Sequence, residues 1–288
     1  MFSVVVLTLN EERALGACLA SVRGCDDILV LDSGSTDRTV EIARSSGART
    51  LVHPFETFAQ QRTHAHRAGR LRHPWVFHLD ADERFTPELF AECLAWGDPD
   101  AIDGAYVAPR MLVNGSWVRR STDFPAYQAR FAHRERFRWI QSGHGQRERP
   151  DMRMATLAHA YTHETLAAGE PAWLEKHRRY AWIEAEHHTS QNASFSSAAL
   201  SLLGTDRLER RRALKRLSYA LPARPALRFL YQYVLRGGFL DGRAGWLYCR
   251  LLARYEAFAG EAMRARRTGS VRGALPAPQA SRSSKTTR

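Results

Sequence analysis

The chain is poor in several features that would otherwise decide its class. Its four cysteines, Cys18, Cys25, Cys93 and Cys249, form no C-x-x-C pair and show no metal-binding spacing, so they read as buried, reduced thiols of a cytoplasmic protein. No uninterrupted apolar run approaches the roughly 18 residues needed to span a bilayer. The opening FSVVVLTL lacks the basic region and cleavage site of a secretory signal. No G-x-G-x-x-G and no Walker loop is present, which argues against a dinucleotide or ATP cradle of those kinds. There is no internal repeat. What remains is 288 residues with 44% hydrophobic content, enough to build a core in one large or two small domains.

Charge is distributed unevenly. Residues 1–204 hold 23 Lys or Arg against 25 Asp or Glu, a net of −2, whereas residues 205–288 hold 19 against 5, a net of +14. Clustered arginine can neutralise nucleic-acid phosphates. Here, however, the arginines alternate with Leu214, Leu217, Tyr219, Leu227, Phe229, Leu230 and Tyr233 at spacings that suit basic amphipathic helices. Such helices lie on anionic membrane surfaces. The expectation is therefore an anionic membrane surface and no nucleic acid, with a packed helical cap as the alternative.

The most informative stretch is HPWVFHLDADER, residues 73–84. Val76, Phe77 and Leu79 read as a buried strand, and strand alternation predicts that Asp80 and Asp82 emerge on one side at its carboxyl end. Two carboxylates so placed can hold one hard divalent cation, Mg2+ or Mn2+, whose remaining ligands are water and substrate phosphates. Upstream, FSVVVLTL reads as a parallel-sheet strand, residues 13–22 as a helix, DILVLD as a second strand, and SGSTD as a turn into a helix near Thr39. That rhythm predicts βαβ units, with Thr8, Asn10, Glu11, Asp32, Asp80 and Asp82 at the carboxyl ends of the strands, where such sheets bind ligands. Residues 101–170 alternate short strands with polar turns and are expected to complete the sheet. Helix is expected over 171–267, and the Pro, Ser, Ala and Arg-rich 268–288 reads as disordered.

Four segments in this order, VVLTLNEE, ILVLDSGSTDRTVEIA, FAQQR and WVFHLDADER, resemble the nucleotide-sugar half of inverting family 2 glycosyltransferases. The likeness is greatest to bacterial enzymes that extend lipopolysaccharide core or exopolysaccharide. A weaker likeness runs through RWIQSGHGQRE, WLEKHRRYAWIEA and RFLYQYVLRGGFLDGRAGWLYCRLLARYE. The resemblance implies an α/β GT-A fold, a Rossmann-like, mostly parallel sheet with a helical carboxyl-terminal extension. Residues 1–100 would be the nucleotide-sugar half and 101–170 the acceptor side. It also implies transfer from a nucleotide diphosphate sugar to a lipid-linked or lipopolysaccharide acceptor, peripherally on the inner face of the bacterial inner membrane. By the same resemblance Asp32 reads the base, Arg62 lies nearby, and Thr8 and Glu11 line the pocket with Asn10.

Many relatives carry a His-Glu pair after a Trp-containing segment, and this chain departs from that pattern with WIQSGHGQRE. If that segment is extended, His144, Gln146 and Glu148 share one side. His144 would then reach the metal or phosphate, and Glu148 would act as the base that takes the acceptor proton, with Asp123 and Glu164 as rivals. His159 and His163 stand at an i, i+4 spacing but lack the Glu of H-E-x-x-H, so a zinc pair on a helix is not expected. A nucleotidyltransferase would also use such a sheet and aspartates, yet LNEERALGAC holds no Gly-rich, basic loop. A non-catalytic scaffold would not need the Asp80 and Asp82 pair.

Overall fold

The structure is a computed structural model that describes residues 1–97, 99–142, 145–190 and 223–267. The amino-terminal elements follow the expected order: β1 (Ser3–Thr8), α1 (Leu15–Ser21), β2 (Ile28–Asp32), α2 (Thr39–Ser45), β3 (Arg49–Val52), α3 (Phe58–Ala68), β4 (Trp75–Asp80), β5 (Glu83–Arg84) and α4 (Pro87–Ala95). Two helix starts use the expected chemistry. Thr57 caps α3 by accepting from the Gln60 amide, and Thr86 caps α4 ahead of Pro87 by accepting from the Leu89 amide.

Seven strands form the main sheet in the order β12, β6, β9, β4, β1, β2, β3. Strands β1 to β4 are mutually parallel, while β9 (Gln128–His133) runs antiparallel to both β4 and β6 (Gly104–Val107); β12 (Met154–Thr156) closes the edge. Both faces of the parallel part are buried, which explains the near-continuous VVV run. Val4 and Val6 join Phe77, Leu79, Leu89 and Phe131 on one face, and Val5 and Leu7 join Leu29, Leu31, Val76 and Ala65 on the other.

The strands after residue 100 do not all complete that sheet, as the sequence had suggested. Only β6, β9 and β12 join it. A second sheet has the order β5, β13, β7, β8, with β7 spanning Pro109–Val113, β8 Ser116–Trp117 and β13 Tyr161–Glu164. The chain changes sheets between β6 and β7, where Pro109 has no N–H to continue the ladder of β6 and sits at the first position of β7. A separate hairpin, β10 (Trp139–Ser142) and β11 (Gly145–Glu148), packs over α3.

Beyond the sheets lie α5 (Glu170–Ser190), α6 (Arg224–Leu230), a π turn at Tyr231–Leu235, a 3-10 turn at Gly238–Asp241 and α7 (Gly242–Arg267). Helix α7 packs on α5 and α6, buries Cys249, Leu251, Ala259 and Ala262, and is tied to the start of α5 by Arg250 and Glu170 at 2.6 Å. All four cysteines are free thiols, three of them buried. The basic stretch 205–222 and the carboxyl-terminal segment 268–288 lie outside the described residues, so the expected disorder of the latter does too.

Gly245 shows how closely α7 approaches the loop that follows β8. A Cβ there would stand 2.7 Å from the Asp241 Cβ, 2.9 Å from the Ser121 Oγ, and closer still to the Gly238 carbonyl oxygen. In an open helix Gly→Ala stabilises by roughly 0.5–1 kcal/mol. Here a rigid backbone oxygen stands in the way, and overpacking of about 1–3 kcal/mol wins. Gly245→Ala should therefore lower stability in denaturant melts. An unchanged or raised midpoint would mean that this contact is loose.

Candidate active site

Sheet register brings the site together. Thr8 lies opposite Asp32, and Leu7 opposite Asp80, so three adjacent parallel strands end in one row. That row is at the carboxyl edge, beside the point where the order of parallel strands reverses between β1 and β4.

The β2 end is held by its own turn. Asp32 is 1% exposed, and its carboxylate accepts from Thr8 Oγ1 (2.9 Å), Gly34 N (2.9 Å), Ser35 N (2.7 Å) and the Ser35 hydroxyl. Four protein donors occupy the acceptor positions of this carboxylate, so it builds the turn, and a nucleobase would have to displace one of them. Asn10 sits in the left-handed region at φ 56°, which asparagine tolerates better than most residues. Its Oδ1 accepts from Thr36 N at 2.9 Å, while Glu11 N donates to Thr39 Oγ1 at 2.8 Å. The two loops that rim the site are thereby fastened to each other.

At the β4 end the extended reading of D-x-D is corrected. The strand stops at Asp80, and Ala81 and Asp82 form a turn, so the two carboxylates meet different partners. Asp80 Oδ1 accepts from Arg62 Nη2 at 3.0 Å and Oδ2 from Arg130 Nη2 at 3.2 Å. Burial works against its ionisation, but Arg130 and Arg62 outweigh it and hold the carboxyl below its ordinary range. Asp82 Oδ2 lies 3.4 Å from His163 Nε2 and 4.0 Å from Lys176 Nζ. Burial opposes charge there too, and these two cations hold the Asp82 carboxyl down. Behind them Glu83, fully buried, accepts from Arg130 (2.6 Å) and from the Asp80 amide (2.8 Å).

His163, Lys176 and Arg130 escaped the sequence reading. His163 was weighed only as a helical zinc pair with His159. It lies instead on β13, opposite Glu83, and His159 is engaged elsewhere with Glu92 at 2.9 Å. Burial disfavours the imidazolium of His163, yet Asp82 and Glu83 push its pKa up to about 10. Lys176 and Tyr180, one turn apart on α5, both sense Asp80 and Asp82. That i, i+4 pair was the signal available in the sequence.

Arg62 is fully buried and stacks over Trp139 at 5.4 Å. Burial pulls its pKa down to about 10, with Asp80 opposing. Its Nε and Nη1 have no hydrogen-bond acceptor among the described residues. Two buried donors left open in this way cost of order 1–3 kcal/mol each, which an arriving anion or water would recover.

The proposed base lies on the β10–β11 hairpin. Glu148 pairs with Trp139 across the β10–β11 hairpin, and its Oε1 accepts from Tyr106 Oη at 2.9 Å. Its rivals are occupied as well: Glu164 accepts from Asn114 N and Gly115 N at 3.0 and 2.9 Å, and Asp123 lies 3.6 Å from Arg236. His144 lies outside the described residues. Among those residues no trio of His, Cys, Asp or Glu is grouped closely enough to cage a metal ion by itself.

Glu11 reports on the crowding of charge. Its pKa is pushed up to about 7, first by burial and then by Asp82, with Lys176 pulling the other way and Asp80 adding to the rise.

The molecule is thus a mixed α/β protein with a mostly parallel central sheet, carboxyl-terminal helices, and a polar site at the carboxyl ends of β1, β2 and β4. It belongs to glycosyl transferase family 2, whose family model matches residues 3–151. The chain is 38% identical over 121 residues to the lipopolysaccharide core biosynthesis glycosyltransferase LpsC of Rhizobium meliloti, covering 39% of this chain and 43% of that protein. It is 29% identical over 134 residues to the PGL/p-HBAD biosynthesis glycosyltransferase of Mycobacterium bovis, covering 43% and 49%. The chain therefore spans less than half the length of either relative. Among solved structures, S. aureus TarS 1-349 in complex with UDP-GlcNAc matches with a TM-score of 0.41 and 17% identity, over 93% of this chain and 92% of that one.

The raised Glu11 pKa gives a stability test. The folded chain keeps a proton that the unfolded chain releases near 4.5, so this stabilisation is present below that pH and is lost as pH rises through about 7. Glu11→Gln removes the effect. The melting temperature of the wild type should fall relative to Glu11→Gln between pH 5 and pH 8, and a gap that stays constant across this range would overturn the assignment.

Proposed function

We propose that the protein transfers a sugar from a nucleoside diphosphate donor to a lipid-linked or lipopolysaccharide acceptor, with inversion at the anomeric carbon. The observation that carries this reading is the row of Thr8, Asp32 and Asp80 at adjacent strand ends, with Asp82 turned toward Lys176. Family membership supports the reaction type, and the likeness to LpsC supports a lipopolysaccharide acceptor. The nucleotidyltransferase and scaffold alternatives fit neither the family nor the assembled cluster.

In this reading the donor lies along the carboxyl edge, with its base toward β2 and its diphosphate toward β4. Thr8, Asn10 and Glu11 shape the pocket together with the turn that Asp32 holds. Arg62, through Nε and Nη1, and Lys176, through its ammonium, would face the phosphates, and burial strengthens the interactions of the Arg62 charge.

A divalent cation, Mg2+ or Mn2+, fits the residues present. A hard cation takes only one or two protein carboxylates and completes its shell with phosphate and water, so no protein cage is required. Asp82 would hold the cation with Asp80 beside it, and His163 stands at Asp82, where the sequence reading had placed His144. When bound, the cation supplies Lewis-acid neutralisation of the leaving diphosphate. The acceptor hydroxyl approaches from the opposite face, and Glu148, with Oε1 held by Tyr106, takes its proton through the other carboxylate oxygen. A lipid-linked or lipopolysaccharide acceptor would bring this work to the anionic inner face of the inner membrane. No described helix is long and apolar enough to cross a membrane.

Thermal-shift screening of UDP-, GDP- and dTDP-sugars with and without Mn2+ tests the donor class. In the same screen, Asp82→Ala should keep the fold and lose both transfer and cation-dependent nucleotide binding. Retention of more than about a tenth of wild-type turnover, a barrier change below roughly 1.4 kcal/mol, would overturn its role.

Glu148→Gln should reduce turnover by about 10² to 10⁴ with donor affinity near normal. A collapse of donor affinity would instead make Glu148 a structural or donor-binding group.

A further inference from the structure

The segment from α6 into α7 is inside out. Its polar groups face the protein. Gln232 is 1% exposed and donates to the Ser121 carbonyl at 2.7 Å, Arg236 Nη2 donates to the Thr122 carbonyl at 2.8 Å, and Asp241 Oδ2 accepts from Arg120 N, Ser121 N and Ser121 Oγ at 2.9, 2.7 and 2.8 Å. Its apolar groups face solvent: Leu235 is 76% exposed, Leu240 59%, Leu230 53% and Phe239 51%, with Val234 and Trp246 also open. Single exposed apolar side chains are ordinary, but six of them within residues 230–246 form one patch. Gly237, at φ 74°, makes the reversal that lets the π turn and the 3-10 turn present these side chains together. A cavity of about 820 Å³ opens beside them, lined by Tyr233, Phe239, Trp246 and Leu247 with Arg243.

The charge around the patch is mostly positive, with Asp123 paired to Arg236 at 3.6 Å. Residues 224–250 carry five arginines and a single acidic residue, Asp241, whose carboxylate is spent on the clasp. Arg236 and Arg243 are exposed, as are Arg119 and Arg120 on the loop that Asp241 grips, and Arg119 stacks on the half-exposed Trp117 at 5.5 Å. A second copy docking here by two-fold symmetry would press these arginines against their own counterparts, at a repulsive cost. Nucleic acid would use the arginines and leave six apolar side chains in water. An anionic bilayer satisfies both halves, because apolar side chains enter the acyl boundary while guanidinium groups stay among phosphates.

We propose that this clasp is the membrane-docking surface of the enzyme: Leu235, Phe239 and Leu240 enter an anionic bilayer while Arg243 lies in its headgroup layer. The proposal rests on the reading of a lipid-linked or lipopolysaccharide acceptor and names the surface that would bring the enzyme to it. It also relocates the apolar anchor from the faces of long amphipathic helices, where the sequence suggested it, to the two turns between α6 and α7.

The test is co-sedimentation of the full chain with vesicles of phosphatidylcholine alone or with added phosphatidylglycerol, at low and high salt. The wild type should prefer the anionic vesicles, and salt should weaken the binding without abolishing it. Leu235→Glu/Leu240→Glu should bind at least about tenfold more weakly, with unchanged melting temperature and donor binding. Arg243→Gln should reduce binding and flatten its salt dependence. If the double variant does not fold, quenching of tryptophan fluorescence by brominated lipid replaces it, and Trp246→Phe should remove most of the quench. A wild type that ignores anionic vesicles overturns both this proposal and the membrane reading. A double variant that binds as well as wild type, or a quench that survives Trp246→Phe, overturns the surface alone. So does a wild-type dimer that the double variant turns into a monomer with vesicle binding intact.

Discussion

The site depends on one buried ion network. Arg130 on β9 reaches under the end of β4, where its Nη2 meets both Glu83 and Asp80, and its Nε meets Gln128 and Tyr161. Glu83 is fully buried, so its charge is tolerable only because Arg130, His163 and the Asp80 amide surround it. Losing one partner of such a network typically costs 3–5 kcal/mol, because the remaining charge stays buried and uncompensated. The network spans both sheets, since Asp80 ends a strand of the seven-stranded sheet while Glu83 and His163 pair within the four-stranded one. Geometry at the carboxyl edge is therefore tied to the packing of the two sheets against each other.

The balance of charge bears on function. Asp80, Asp82, Glu83 and Glu11 face Arg62, Arg130, Lys176 and His163 in a partly buried cluster. Each carboxylate tolerates burial because cations surround it, and Glu11, the least well served, is the one whose pKa climbs toward neutrality. Arg62 keeps Nε and Nη1 without acceptors among the described residues, but both are enclosed, so a ligand would reach them only if the site rearranged.

The carboxyl-terminal clasp obeys the opposite logic. Polar contacts hold it to the loop after β8, and its apolar side chains are left in water. A chain folding only for its own stability would have turned Leu235 and Leu240 inward, at roughly 1.5–3 kcal/mol each. Helix α7 packs separately on α5, so the helix that carries Lys176 and the surface that carries the exposed leucines belong to one packed unit.

Local chemistry was enough to reveal the βαβ rhythm, the buried β1 and β4, and the row of Thr8, Asp32 and Asp80, because alternation and turn residues report directly on which side of a strand is buried and where it ends. The D-x-D was legible as a pair at a strand end, although the turn at Ala81 and Asp82 that separates the two partners was not. Arg130, His163 and Lys176 were out of reach for another reason. They lie 50 to 94 residues from the aspartates they meet and arrive through an antiparallel strand, a second sheet and a packed helix. Periodicity shows that a residue faces inward but not which distant element it will meet, and that pairing is decided by the register and packing of the whole molecule. The outward turn of Leu235 and Leu240 is likewise invisible to any local pattern, because it is imposed by Gln232 and Asp241 reaching back to a loop more than a hundred residues earlier.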